Sequence, residues 1–156
     1  MKAILIVVGK TKIPFIKEGF DFYLERIRHY LNMEVVIIND IKNSKNLSSE
    51  QLKEIEGNQI LISIQNGDYV VLLDEKGKEL SSVDFSGFLQ GKMNSGIKKI
   101  IFITGGAYGF SEKLYQRAND KISLSKMTLT HEMVRMIFAE QLYRAMTIIR
   151  GEGYHH

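Results

Sequence analysis

The chain has 156 residues, 44% of them hydrophobic and 25% charged, with one proline, no cysteine and no tryptophan. This fits one domain that buries a core without a disulfide or structural metal, and it excludes collagen-like, mucin-like and disordered chains. The 21 basic and 18 acidic residues leave a net charge of +3, which permits a phosphate-rich partner without demanding one.

Residues 3–8 form the first of five strand-sized apolar runs, too short for a signal peptide or a membrane span. With no cysteine the chain is compatible with a reducing compartment, and the expected location is cytoplasmic. Ile16, Phe20, Tyr23, Leu24, Ile27, Tyr30 and Leu31 then share one helical face. After a second run at 35–38, Ser48-Ser49-Glu50-Gln51 has the form of a capping box ahead of a helix with Ile55 and the 60–64 run. A third run at 69–73 precedes a shorter helix opened by Ser81 or Ser82 with Asp84, carrying Phe85, Phe88 and Leu89. The fourth run, 99–103, leads through a glycine-rich turn to a helix over 112–118 that Ser111 is expected to cap. The fifth run, 122–125, leads to a last helix over 131–150, where Val134, Ile137, Phe138, Gln141, Leu142, Ala145, Met146 and Ile149 lie nearly in a stripe.

Alternating strands and helices predict a single α/β domain over 1–156, with a mainly parallel sheet covered by helices on both faces. Ligands of such sheets sit beyond the carboxyl ends of the strands, so the loops beginning at Asp74, Thr104 and Ser125 are the places to inspect. In the second of these, Thr104-Gly105-Gly106-Ala107-Tyr108-Gly109 lets backbone pass close to a ligand, although its G-G-x-x-G spacing is not a dinucleotide fingerprint. In the third, Leu124-Ser125-Lys126-Met127-Thr128-Leu129 mixes hydroxyls with apolar side chains, as a pocket for an adenine ring and a methyl donor requires. His131-Glu132 begins like a zinc-protease helix, but Arg135 stands where a second histidine is needed, and no metal is expected. His131 at a helix start is instead suited to act as a neutral hydrogen-bonding or proton-accepting group. The tail, Gly151-Glu152-Gly153-Tyr154-His155-His156, carries side chains suited to binding a base or phosphate.

These segments, with Leu72-Leu73-Asp74, Val134-Arg135, Glu140-Gln141-Leu142-Tyr143-Arg144-Ala145 and the closing Tyr154-His155, resemble the ribosomal RNA large subunit methyltransferase H family of bacterial SPOUT methyltransferases. The resemblance covers essentially the whole chain and is most specific in the C-terminal half. It implies an α/β fold with a C-terminal trefoil knot, a homodimer, and transfer of a methyl group from S-adenosylmethionine. The implied target is N3 of a pseudouridine in helix 69 of 23S ribosomal RNA, on the assembled 70S ribosome.

By the same resemblance the cofactor residues are Leu73, Gly105, Leu124, Ser125, Lys126, Met127, Thr128 and Leu129, to which adjacency adds Gly106. His131, Arg144, Tyr154 and His155 are the implied substrate and catalytic positions. Since an imide nitrogen must lose its proton to attack, His131 or His155 is the candidate acceptor, Arg144 the group that stabilises negative charge, and Tyr154 a stacking or hydrogen-bonding partner. Two residues depart from the family pattern: Thr130 stands where proline commonly precedes the histidine, and His156 where a basic residue commonly closes the chain. The expectation is one cleft formed by the glycine turn, the Ser125-Lys126-Met127-Thr128 segment and the final residues, with the last helix as the candidate dimer interface. A non-catalytic module sensing a nucleotide or S-adenosylmethionine, and a transfer-RNA methyltransferase of the same fold, are the alternatives.

Overall fold

The computed structural model describes residues 1–155. Its elements run β1 (Lys2–Val8), α1 (Pro14–Ile27), β2 (Asn32–Ile38), α2 (Ser49–Ile62), β3 (Tyr69–Glu79), α3 (Ser82–Asn94), β4 (Lys99–Thr104), α4 (Glu112–Arg117), β5 (Asp120–Ser123) and α5 (His131–Arg150), with short 3-10 turns at Ser44–Asn46 and Gly153–His155. The five strands pair in the order β2-β1-β4-β3-β5, every pair parallel. Alternate residues build two cores. Leu5, Val7, Val71, Ile100 and Phe102 face α1, α3 and α5, while Ile4, Ile6, Leu72, Ile101 and Ile103 face α2 and α4. Burial on both faces is why the strands read as unbroken apolar runs.

Local signals set most helix starts. Ser48 Oγ accepts the Gln51 amide at 3.1 Å and Gln51 returns the bond at 2.9 Å, and Ser81 and Asp84 form the same box ahead of α3. Ser111 departs from expectation: its hydroxyl is buried and makes no cap, and α4 is short, anchored by buried Leu114. The fifth strand begins two residues earlier than its apolar run, because polar residues secure it. Asn119 Oδ1 accepts the Val70 amide at 2.8 Å, and Asp120 accepts the Tyr69 hydroxyl.

β3 extends past its apolar run for a related reason. Leu73 and Lys78 both pair with Ile122, so residues 74–77 leave the ladder as an outward excursion and the strand resumes beyond them. Gly77 closes that excursion against β5, where an added Cβ would lie 2.6 Å from the Ile122 nitrogen and the Lys121 carbonyl carbon. Backbone cannot swing aside as a side chain can, so Gly77→Ala is expected to cost on the order of 3 kcal/mol. Urea unfolding measures this, and a midpoint equal to the parent protein would show that β3 and β5 do not pack so closely.

α5 lies against the sheet with α1 on one side and α3 on the other. Phe138, Ala139, Leu142, Ala145 and Met146 are buried in the core. Of the stripe expected to mark a dimer interface, Phe138, Leu142, Ala145 and Met146 are thus packed within this chain, while Ile137 and Gln141 stay half-buried. Thr130 caps this helix, accepting the Met133 amide at 3.2 Å, so the departure from proline supplies a side-chain cap. Gly151, at φ 70°, ends it in the left-handed conformation. Exposed apolar side chains are spread over several elements, among them Phe15 and Phe22 of α1, 61% and 49% accessible, and Ile62 at the end of α2, 85% accessible. Among the described residues no helix is long and apolar enough to cross a membrane.

Candidate active site

The loops that follow β3, β4 and β5 enclose a cavity of about 730 Å³ at the carboxyl rim of the sheet, a size that suits a small-molecule ligand. Leu73, Gly105, Gly106, Leu124, Ser125, Met127, Thr128 and Leu129 line it, and His131 stands at its edge on the first turn of α5. Lys126 is the one expected cofactor residue that does not: its side chain is 83% exposed and pairs outward with Glu79 at 3.3 Å.

Hydrogen bonds shape the walls. Ser123 Oγ donates to the Ser125 carbonyl at 2.9 Å, and Ser125 Oγ accepts the Met127 amide at 2.9 Å, which coils the 125–129 segment on itself. Thr128 Oγ1 donates to Glu75 at 3.3 Å, tying that segment to the excursion after β3. Tyr115 donates to Asp74 at 2.5 Å; burial first, and the Asp74 hydrogen bond second, push its phenol up, so it remains a donor at neutral pH. On the glycine side, Gly106 and Gly109 form an isolated bridge and Gly109 has φ 84°, folding the turn tightly. Thr104 Oγ1, also on the cavity wall, is buried without a hydrogen-bond partner among the described residues.

Arg144, Tyr154 and His155 do not join this cavity within one chain. His131 and Arg144 share a single straight helix, which separates them by roughly 20 Å along its axis. Arg144 forms its own cluster, donating to Glu140 from Nε at 3.0 Å and from Nη2 at 2.5 Å, with its guanidinium 4.8 Å from the Tyr154 ring centroid. The Glu140 hydrogen bond raises the affinity of this guanidinium for its proton. Tyr154 packs edge-on against Tyr143 at 4.7 Å, and His155 completes the same 3-10 turn. Glu152 accepts the Tyr30 hydroxyl at 2.5 Å, which pushes that phenol up to about 12. The tail is thus bound to α5 and, through Tyr23 and Tyr30, to α1 and the turn after it, so that within one chain the expected site residues form two separate groups. His156 lies outside the described residues.

Three residues without a role in the site on sequence grounds support it, Glu56 lying in no motif and Glu132 and Arg135 read only as motif positions. Glu56 of α2 is buried directly behind Gly106 and fills the place a side chain there would occupy. Glu132 accepts the Lys12 and Ile13 amides at 2.8 and 3.0 Å. Arg135, 0% exposed, donates to the Val8 and Gly9 carbonyls and to Thr11 Oγ1. A charged residue on the buried stripe of a helix is the signal that marks Glu56 and Arg135.

The sequence matches the family described as a predicted SPOUT methyltransferase over residues 1–155, and the chain belongs to that family. It is a methyltransferase, and its chemistry draws on a methyl donor. Among its relatives, the ribosomal RNA large subunit methyltransferase H of Parabacteroides distasonis is 54% identical over 156 residues, covering 100% of this chain and 99% of the relative. The proteins of the same name from Christiangramia forsetii and Bacteroides thetaiotaomicron are 52% and 49% identical, covering 97% and 100% of this chain and 97% and 99% of the relatives. Within the SPOUT methyltransferases, the chain is therefore a member of the ribosomal RNA large subunit methyltransferase H family.

Proposed function

We propose that this chain transfers a methyl group from S-adenosylmethionine to N3 of a pseudouridine in helix 69 of 23S ribosomal RNA, acting in the cytoplasm on the assembled ribosome as a homodimer. The observation that carries the reading is the single cavity in which the glycine turn, the 124–129 segment and His131 meet. Its lining fits an adenosine bearing a charged, partly apolar tail. Leu73, Leu124 and Leu129 offer apolar surface, and Thr104 Oγ1 is a buried polar atom in need of a partner. When bound, the donor supplies an electrophilic methyl carbon on a sulfonium.

The protein's own tasks are then to hold and orient both reactants and to manage one proton. Glycine at 105 and 106 lets the turn fold closely against Gly109 and Glu56, which sets one wall, while the tie between Thr128 and Glu75 fixes the opposite wall. His131 takes the imide proton from the substrate ring in this reading, which its position among the cavity residues supports. Arg144 and Tyr154 supply a cation and an aromatic face for anionic charge and a base, but in one chain they lie near and beyond the far end of α5, too distant to reach. A second copy solves this if it brings its Arg144 group to the cavity. The exposed Phe15 and Phe22 on α1, close in sequence to the cavity residue Ile13, support an interface there. The family's trefoil knot finds support in the excursion of 74–77 with β5 paired on both sides of it.

Ribosomes from a strain lacking the enzyme, incubated with the protein and labelled donor, should gain one methyl group in helix 69 by mass spectrometry; ribosomes left unlabelled would refute the reading. Deleting residues 153–156 should leave donor binding by calorimetry nearly intact while abolishing transfer. A fully active truncation would remove the tail from the mechanism.

A further inference from the structure

We infer that the loops after β1 and β2 form a pre-organised contact face for the phosphates of RNA flanking the target nucleotide. The inference rests on the ribosomal RNA reading and extends it to a surface outside the cavity. β1 and β2 are parallel and in register, Val8 beside Ile38, and β1 also pairs in parallel with β4. Their following loops therefore emerge at the same rim of the sheet as the cavity, on the β1 and β2 side of it. Those loops present Lys10, Lys12, Lys42 and Lys45, all exposed. Among the described residues Lys10, Lys42 and Lys45 have no ion pair, and Lys12 meets Asp40 at 3.5 Å in a solvent-open contact. Between β1 and Glu18 there are three lysines and no acidic residue. Charge that sums to only +3 over the molecule is thus concentrated locally, beside the cavity.

The first loop is also held with unusual firmness. Arg135 is a buried cation whose hydrogen bonds go to the Val8 and Gly9 carbonyls and the Thr11 hydroxyl, with no carboxylate among them. Glu132 takes the Lys12 and Ile13 amides, and the Ile13 bond foremost holds its carboxyl below the usual carboxylate range. Desolvating a guanidinium is costly, and here it serves a surface loop. Both residues stand on the first turns of α5, next to His131. The backbone that carries the lysines of this loop is consequently fixed relative to the cavity, so only side-chain freedom is lost when they meet a charged strand. Regularly spaced phosphates complement such an array; Asn43, left-handed at φ 58°, and Asn46 add neutral hydrogen-bonding groups in the second loop.

The test compares K10Q/K42Q/K45Q with R28Q/K98Q, a control that removes exposed charge at the opposite rim, where Arg28 precedes β2 and Lys98 precedes β4. Methyl transfer is followed on unmethylated ribosomes between about 50 and 200 mM salt. The triple variant should raise KM for ribosomes about tenfold and flatten its log-log salt dependence by about two units, a little under one per lysine lost. Its kcat and donor affinity should hold, and the control should match the parent protein. Parent activity in the same assay certifies the proposed reaction independently, so an unchanged KM and salt slope in the triple variant would overturn this surface alone. Binding to deproteinised 23S ribosomal RNA is the second readout. If the triple variant binds it as the parent does while losing affinity only for intact ribosomes, the face meets a ribosomal protein and the RNA assignment fails.

Discussion

Gly106→Ala is expected to fold and yet to bind S-adenosylmethionine about tenfold more weakly, a loss of ~1.4 kcal/mol. The reason lies behind the turn and outside the cavity. An alanine Cβ at this position would fall within contact distance of the Glu56 carboxyl group, which is buried and packed against the Gly106 backbone. Burial first, and then the nearby Asp40, raise the proton affinity of that carboxyl, so it is a constrained group in a crowded place. Either Glu56 swings away and leaves the turn unsupported, or the turn shifts into the space a ligand would use. Because the obstacle is the far end of a side chain, removing it should relieve the strain: Glu56→Ala combined with Gly106→Ala is expected to recover most of the affinity. Calorimetry on the two single variants and the double variant gives a coupling energy of the sign that neighbours in contact show. Parent-like affinity in Gly106→Ala, or simple additivity in the double variant, would show that Glu56 does not support the turn.

Glu56 also shows which parts of this molecule are legible in its sequence. The strands stand out because both faces of a parallel sheet are buried, and the boxes at Ser48 and Ser81 mark helix starts because each satisfies amides that have no other partner. Where polar residues do structural work, the pattern misleads. β5 starts at Asp120, held by side-chain bonds from Asn119 and Asp120, and apolar counting places it later. Lys126 lies within a segment whose neighbours line the cavity, but a segment coiled by the Ser125 hydroxyl need not turn every side chain inward. Glu56 carries no motif, and Arg135 reads only as a motif position and not as a support of the loop after β1, because a sequence shows a charge without showing what it faces. The cavity itself was readable, since it follows from three loops leaving one rim.

The assembly of the whole site was less readable, although one warning was present: His131 and Arg144 lie on one predicted helix, and a straight helix cannot bring both to one substrate.

That geometry yields a prediction in mixed dimers. A protomer with Gly106→Val, whose side chain would collide with Glu56 and force the turn toward the cavity, and a protomer with Arg144→Ala should each be inactive or nearly so as homodimers. If one subunit supplies the cavity and the other the Arg144 group, a dimer of the two variants contains one site with both parts intact and one with neither. Random mixing makes half of all dimers mixed, so about a quarter of parental transfer activity should return when the two proteins are denatured and refolded together, as the two-fold symmetry of a homodimer requires. Arg144 has a defined task in that site. It is already oriented by two hydrogen bonds to Glu140 and lies beside the Tyr154 ring, so it can meet anionic charge without first being ordered. Arg144→Ala alone should reduce transfer more than about tenfold while donor affinity stays unchanged, because the Arg144 group does not line the cavity. Labelled-donor transfer to ribosomes measures both effects. No recovery on mixing, with mixed dimers verified by mass spectrometry, would place the two groups in service of one chain and overturn the shared site.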